Sequence, residues 1–294
     1  MRSVPSKVRI VRTVVSAVMH YLEITPQVEG LLQMPPDAIP ADDPRRNKLL
    51  AAIPNTEWKR VQRDIEPIEM TAGKIVCESG ARLHYVYFPT TSTVSLGYVT
   101  ADGASTEIAA VGNEGAVGIA LFMGGNTMLS RAVVQTAGWA YRLRSESLKE
   151  EFDRGGAMQR VLLLYTRLRL TLLALTAVCN QHHSIEQQLI RWLLLTLDRL
   201  ASEKVTTTHE LIANILGVRR GGITEASGKL QHLGLIASSR GRITVVDRAG
   251  LEARCCECYN VVRREYDRLL DSIINVSEEC DVLRFRETRR AYRV

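Results

Sequence analysis

The residues best equipped for chemistry in this 294-residue chain lie between Thr208 and Arg242. Arg219, Arg220, Gly221, Thr224, Glu225 and Lys229 recur at spacings that turn them outward from one helix. Two arginines at a helix start suit phosphate oxygens or the O6/N7 edge of guanine. Glu225 can accept a hydrogen bond from a cytosine amine, and Thr224 can meet a phosphate or a thymine methyl. Beyond that helix, Ser239-Arg240-Gly241-Arg242 separates two β-favouring runs and places Arg240 and Arg242 at a hairpin tip, within reach of phosphates. The bland alternative is an αα-hairpin and a β-hairpin whose arginines are merely solvated.

Those side chains need a frame, and the preceding residues supply its pattern. Thr206, Thr207 or Thr208 can cap a helix holding Leu211, Ile212, Ile215 and Leu216. Ala213 lies four residues before Gly217, and Ile223 lies six after it. A small residue lets two helices cross closely, and glycine frees the backbone for a tight turn, as a helix-turn-helix requires. Gly221-Gly222 departs from a strong second helix, because each glycine costs up to about 1 kcal/mol relative to alanine. That weakness predicts a frayed first turn, and Gly221 offers no side chain to read a base.

Upstream the texture differs. From about Pro54 to Leu143, turn signals such as Ala72-Gly73, Asp102-Gly103 and Ala137-Gly138 punctuate short β-favouring runs, predicting an all-β sandwich or roll. A short helix from Glu146 to Asp153 precedes a long one that starts near Met158. Val161, Leu164, Leu168, Leu172, Leu175 and Val178 form its apolar stripe, with Leu163, Leu170 and Leu173 off it. Two apolar faces call for two partners: the β-roll, and a second copy of the same helix. The first five stripe residues, Val161 to Leu175, are assigned to the dimer contact. The alternative is a central helix buried within one chain. Ser184-Ile185-Glu186-Gln187 fits a capping box, so a hinge is expected at Cys179–His183.

Composition narrows the classes. With 46% apolar and 24% charged residues the chain is globular rather than disordered. No run reaches the roughly 18 uninterrupted apolar residues that a membrane span needs, so no span is predicted. The net charge of +6 arises wholly beyond residue 155, consistent with a polyanion partner for the C-terminal half. Six dispersed cysteines fit a reducing cytoplasm. Cys255, Cys256 and Cys258 are close in sequence, but a continuous helix would turn Cys256 away from the other two, so no metal site is assigned. No catalytic constellation stands out, and the chain reads as a non-enzyme.

A β-roll, a long helix and a winged helix-turn-helix in that order resemble the Crp/Fnr family of bacterial transcription regulators. Val111-Gly112-Asn113-Glu114-Gly115, Cys179-Asn180-Gln181 and Leu216-Gly217-Val218-Arg219-Arg220 carry the likeness most specifically. The resemblance implies an α+β protein. It would comprise an N-terminal cyclic-nucleotide-binding-like β-roll (a jelly roll), a long dimerisation helix and a C-terminal winged helix-turn-helix. It also implies a homodimer on a two-fold symmetric site in double-stranded DNA, with RNA polymerase a candidate further partner. In cyclic-nucleotide-binding relatives an acidic residue meets the ribose and an arginine holds the phosphate. The matching positions here are Gly112, Glu114, Gly115, Ser130 and Arg131, but their order and separation depart from that pattern. The reading therefore favours no cofactor over a cyclic nucleotide, and the effector stays unassigned. The expected divisions are an extension (1–45), the roll (46–156), the long helix (157–183), the winged helix (184–250) and a helix with a basic tail (251–294). The rival reading is a dimeric scaffold or ligand-binding protein whose winged helix contacts another protein.

Overall fold

The computed structural model describes residues 43–100, 105–199, 204–239 and 241–269. Nearly all of the N-terminal extension, the basic tail and Arg240 lie outside the described residues. The described chain opens with a 3-10 turn (Pro44–Arg46) and two short helices, α1 (Lys48–Ala51) and α2 (Asn55–Val61). The strand texture expected from Pro54 onward therefore begins later. Pro54 takes the N-cap of α2, where a residue without an N–H forfeits no helical hydrogen bond. Asn47 seats α1 on the roll, since its Oδ1 accepts from the N–H groups of Leu49 and Leu50. Its Nδ2 donates to the carbonyls of Pro89, at 2.9 Å, and Gly115, at 2.8 Å. A fully buried amide is tolerated because both its donor and acceptor sides are satisfied.

The roll comprises β1 (Ile65–Met70), β2 (Ile75–Cys77), β3 (Tyr85–Pro89), β4 (Thr93–Val99), β5 (Ser105–Val111), β6 (Arg131–Thr136) and β7 (Gly138–Arg144). They form two antiparallel sheets, ordered β1-β7-β3 and β2-β6-β4-β5. Alternate positions point inward, as a two-layer sheet requires. Thus Val86 and Phe88 of β3, Val94 of β4, Ala132 and Val134 of β6 and Leu143 of β7 enter one core.

Helix α3 (Ser145–Asp153) leads into α4 (Ala157–His182), which runs for 26 residues. The first N–H groups of a helix lack intrahelical acceptors, and Glu57 of α2 provides them. Its two carboxylate oxygens accept from Ala157 N at 3.0 Å and Met158 N at 2.9 Å. That fixes the rotation of α4, so Val161, Leu162, Tyr165 and Leu168 fall into the roll core and Leu164 and Leu172 pack against it. The stripe assigned to dimer contact thus faces the chain's own roll, apart from Leu175, which is half-buried. The apolar residues turned outward are Leu163, Leu170, Leu173 and Val178. Periodicity marks an apolar face but not its partner, and here the Glu57 cap decides. By length and composition α4 could cross a membrane, its most apolar stretch having mean hydropathy 1.7. Its inner face is nevertheless part of a packed protein core.

Helix α5 (Ile185–Arg199) starts at the expected capping box: Gln187 N donates to Ser184 Oγ, and Ser184 N donates to Gln187 Oε1. The C-terminal unit continues with β8 (Lys204–Thr206), α6 (His209–Leu216), α7 (Arg220–His232), β9 (Ile236–Ser239), β10 (Arg242–Val245) and α8 (Arg248–Arg254). A last helix, α9, is described over residues 257–269. Strand β8, which the sequence reading missed, pairs with β10 opposite β9 to make a three-stranded sheet. Three residues are too few to show a β period in sequence. The chain bends between α8 and α9, with Cys255 extended, so the continuous helix assumed there is broken. Replacing Glu57 with alanine removes the cap of α4 and is expected to cost about 1–2 kcal/mol. Chemical denaturation measures it; an unchanged midpoint would mean that the cap does not hold α4.

Candidate nucleic-acid interface

The turn between α6 and α7 is built from local hydrogen bonds. Thr208 caps α6 by accepting from Leu211 N at 3.1 Å. Gly217 adopts a left-handed backbone with φ of 67°, a conformation costly for residues with a Cβ. Val218 N then donates to Ala213 O at 3.0 Å, closing the turn. Ile212, Ala213 and Ile223 are buried, as their spacing predicts, together with Ala226 and Leu230.

On the opposite side of α7, Arg219, Arg220, Gly221, Thr224, Glu225 and Lys229 are all exposed. Helix α7 runs from Arg220 to His232 and includes both glycines. Gly222 has a structural reason: a Cβ there would meet Ile185 Cδ1 at 2.6 Å, so the missing side chain lets α7 approach α5. Gly221 faces open space. Several outward groups have partners: Arg220 Nε lies 3.7 Å from Glu210, and Lys229 Nζ lies 2.7 Å from Glu225. The Lys229 hydrogen bond and charge hold the Glu225 carboxyl below its usual range. Such exposed pairs are weak and readily exchanged for phosphate contacts. Thr224 Oγ1 donates to Arg220 O and lies 3.2 Å from His209 Nδ1. Arg242 is exposed at the start of β10, beside the wing tip.

Of the roll residues proposed for an effector, both charged ones already face partners within the chain. Glu114 is buried; its Oε2 accepts from Gly112 N at 3.1 Å, and its Oε1 accepts from Arg199 Nε at 2.9 Å. Tyr266 of α9 also reaches Oε1, at 3.5 Å, and burial and this carboxylate push its hydroxyl up from the usual phenol range. Gly115 lies under Tyr165 of α4, whose hydroxyl donates to Ala116 O; any side chain at Gly115 would strike it. Arg131, on β6, faces Glu78 with Nε 3.1 Å from Oε2, an ion pair without hydrogen-bond alignment. Ser130 is buried beside it. An open cleft of about 670 Å³ lies elsewhere, between Val76, Cys77, His84, Tyr87 and Arg144, and takes in none of the five.

Sequence reasoning missed Arg199 and Tyr266, which join the roll to the C-terminal unit. Arg169 of α4 adds a longer contact to Ala110 O. The turn at Gly217 also rests on β5, where a Cβ would lie 3.4 Å from Thr106 Oγ1. Nothing local signals these contacts, since 85 residues separate Arg199 from Glu114.

Residues 67–154 match the cyclic nucleotide-binding domain family, and residues 187–254 match the Crp-like helix-turn-helix domain family. Among solved structures, a transcriptional regulator assigned to the Crp/Fnr family of Eubacterium rectale superposes with a TM-score of 0.58. The two are 16% identical over 71% of this chain and 98% of the other. FixK2 from Bradyrhizobium japonicum gives 0.56 at 16% identity, covering 65% of this chain and 98% of its own. A CRP-family regulator from Thermus thermophilus gives 0.54 at 21% identity, covering 63% and 95%. These likenesses show a shared fold. No curated protein sequence matches the chain.

The junction has a measurable consequence. Arg199→Met strands a buried carboxylate and is expected to cost roughly 3 kcal/mol, whereas the double change with Glu114→Leu should recover most of it. A double-mutant cycle by denaturation checks this; additive losses would mean that the two groups do not interact.

Proposed function

We infer, because the chain belongs to the Crp/Fnr family of transcription regulators, that it acts as a homodimer reading a two-fold symmetric site in double-stranded DNA. The observation that carries this is the outward face of α7. Arg219, Arg220, Thr224 and Glu225 stand exposed on a helix held rigidly by its buried face. A helix so presented fits the major groove, with Arg220 toward a guanine edge and Arg219 and Lys229 toward phosphates. The wing, with Arg242 and the neighbouring Arg240, would lie along the flanking backbone. Two such helices need a separation of about 34 Å to meet successive major grooves on one face of the duplex.

The dimer contact in this reading is the outer face of α4. Leu170 and Leu163 are 61% and 51% exposed, with Leu173 and Val178 near them, and Ala174 and Ala177 on that side allow close approach. Pairing α4 with a second copy would remove this apolar surface from water. The roll is linked to α5 through Glu114 and Arg199. An effector that engaged Glu114 would have to displace Arg199, and so would change how α5 and the reading helix sit. Such displacement would couple an effector to the reading helix. A DNA target in a bacterial cell would be met in the cytoplasm.

Three variants test the reading. Arg220→Ala is expected to relax preference at one base pair in each half-site, worth about 1–3 kcal/mol of discrimination. Arg242→Ala should weaken all sequences alike and reduce the salt dependence by roughly one phosphate contact. Binding-site selection and salt titration distinguish these, and loss of affinity without altered base preference in both would refute the division of roles. Leu163→Glu with Leu170→Glu should give monomers in sedimentation and abolish binding to the two-fold site. Dimers that persist would place the contact on another face.

A further inference from the structure

At the break between α8 and α9 the chain brings four soft ligands together from two distant segments. Cys179 and His183 stand one turn apart at the C-terminal end of α4. Cys256 and Cys258 come from the bend and the first turn of α9. The three sulfurs are all buried, and His183 is half-buried. The three Sγ atoms and a ring nitrogen of His183 lie within 4.8 Å of one another. Cys179 Sγ is 3.8 Å from Cys256 Sγ, and Cys258 Sγ is 3.7 Å from His183 Nδ1.

Those separations have a specific meaning. A tetrahedral zinc ion with bonds of about 2.3 Å to sulfur and 2.0–2.1 Å to nitrogen sets its ligands about 3.8 Å apart for two sulfurs and about 3.6 Å for sulfur and nitrogen. Two edges of this cluster already have those lengths. The geometry points to a mononuclear binding site for a thiophilic divalent cation of the zinc class, held by Cys179, Cys256 and Cys258 through Sγ and by His183 through Nδ1.

Two surrounding groups fit that ion independently of the ligands. His183 Nε2 lies 3.3 Å from the Glu257 carboxylate, an outer partner that would hold the Nε2 proton and leave Nδ1 free to coordinate. Three thiolates and a neutral imidazole around a divalent ion carry a net charge of −1. Arg191 is 8% exposed, and its positive charge acts on both Cys179 and Cys258. Its Nη2 donates to Thr176, but its buried Nε has no hydrogen-bond partner among the described residues. An iron–sulfur cluster fits less well, because its bridging sulfides separate the irons and need ligands further apart. With four protein ligands the site is closed, which is the structural rather than the catalytic form. Uptake of the ion releases the three thiol protons and ties the last turn of α4 to α9.

The test uses the full chain, reduced and stripped of metal, with cobalt(II) as the spectroscopic probe and zinc as competitor. The expected result is one cobalt per chain, with the intense visible bands of tetrahedral thiolate coordination, bleached by one equivalent of zinc. Cys256→Ser and Cys258→Ser should each lose those bands, while Cys77→Ser and Cys255→Ser keep them. Circular dichroism of each variant separates loss of a ligand from loss of the fold. If the folded wild-type chain develops no thiolate bands, the site does not exist. Bands that survive in Cys256→Ser or Cys258→Ser would equally overturn it, as would a Cys179–Cys256 disulfide in place of metal uptake.

Discussion

The buried pair of Glu114 and Arg199 is the joint on which the arrangement of the two halves depends. A carboxylate can stay in so dry a place only if its charge is answered, and the answer comes from the last turn of α5. Tyr266 completes the group from α9, so three segments far apart in sequence meet around one side chain. Gly112 supplies a backbone N–H to the same carboxylate, and Gly115 leaves room for Tyr165. The segment from Gly112 to Gly115 is therefore the seat of the central helix and of the C-terminal unit. Any event that engages Glu114 acts on all three.

Helix α4 mediates between the halves because it is apolar on two sides. Glu57 supplies acceptors for its first N–H groups and fixes its rotation, and Tyr165 keeps the inner face against the roll. What remains outside is a row of leucines and alanines on a rigid rod whose far end carries Cys179 and His183. Rotation or displacement of that rod would be passed to α5 through the short turn at Ser184. The placement of α7 is set in turn by Gly222 against Ile185, at the beginning of α5. Roll, rod and reading helix thus form a chain of direct contacts.

Much of the C-terminal unit was legible in the sequence. The capping box at Ser184, the cap at Thr208, the left-handed Gly217 and the apolar sequence from Ile212 to Leu230 each act across a few residues. Local hydrogen bonds and helical period therefore declared them. The roll was legible as strands and turns. Its leading helices were not, since α1 and α2 are too short for a helical period to emerge from seven residues or fewer. The glycine pair was legible only as a local weakness; that Gly222 lies against Ile185 of α5 is a tertiary contact the sequence does not show.

The sequence by itself determined the identity and order of the parts: a β-roll, a long helix apolar on two faces and a helix-turn-helix with a basic outer face. Those features rest on interactions between neighbours along the chain, which residue type and spacing encode directly. Only the tertiary structure decided which face of α4 turns inward, that Glu114 is committed to Arg199, and that Cys179 meets Cys256 across 77 residues. Each of those outcomes depends on where the chain returns after a long excursion. Spacing carries no record of that return, because many side chains could have met there and packing selects among them.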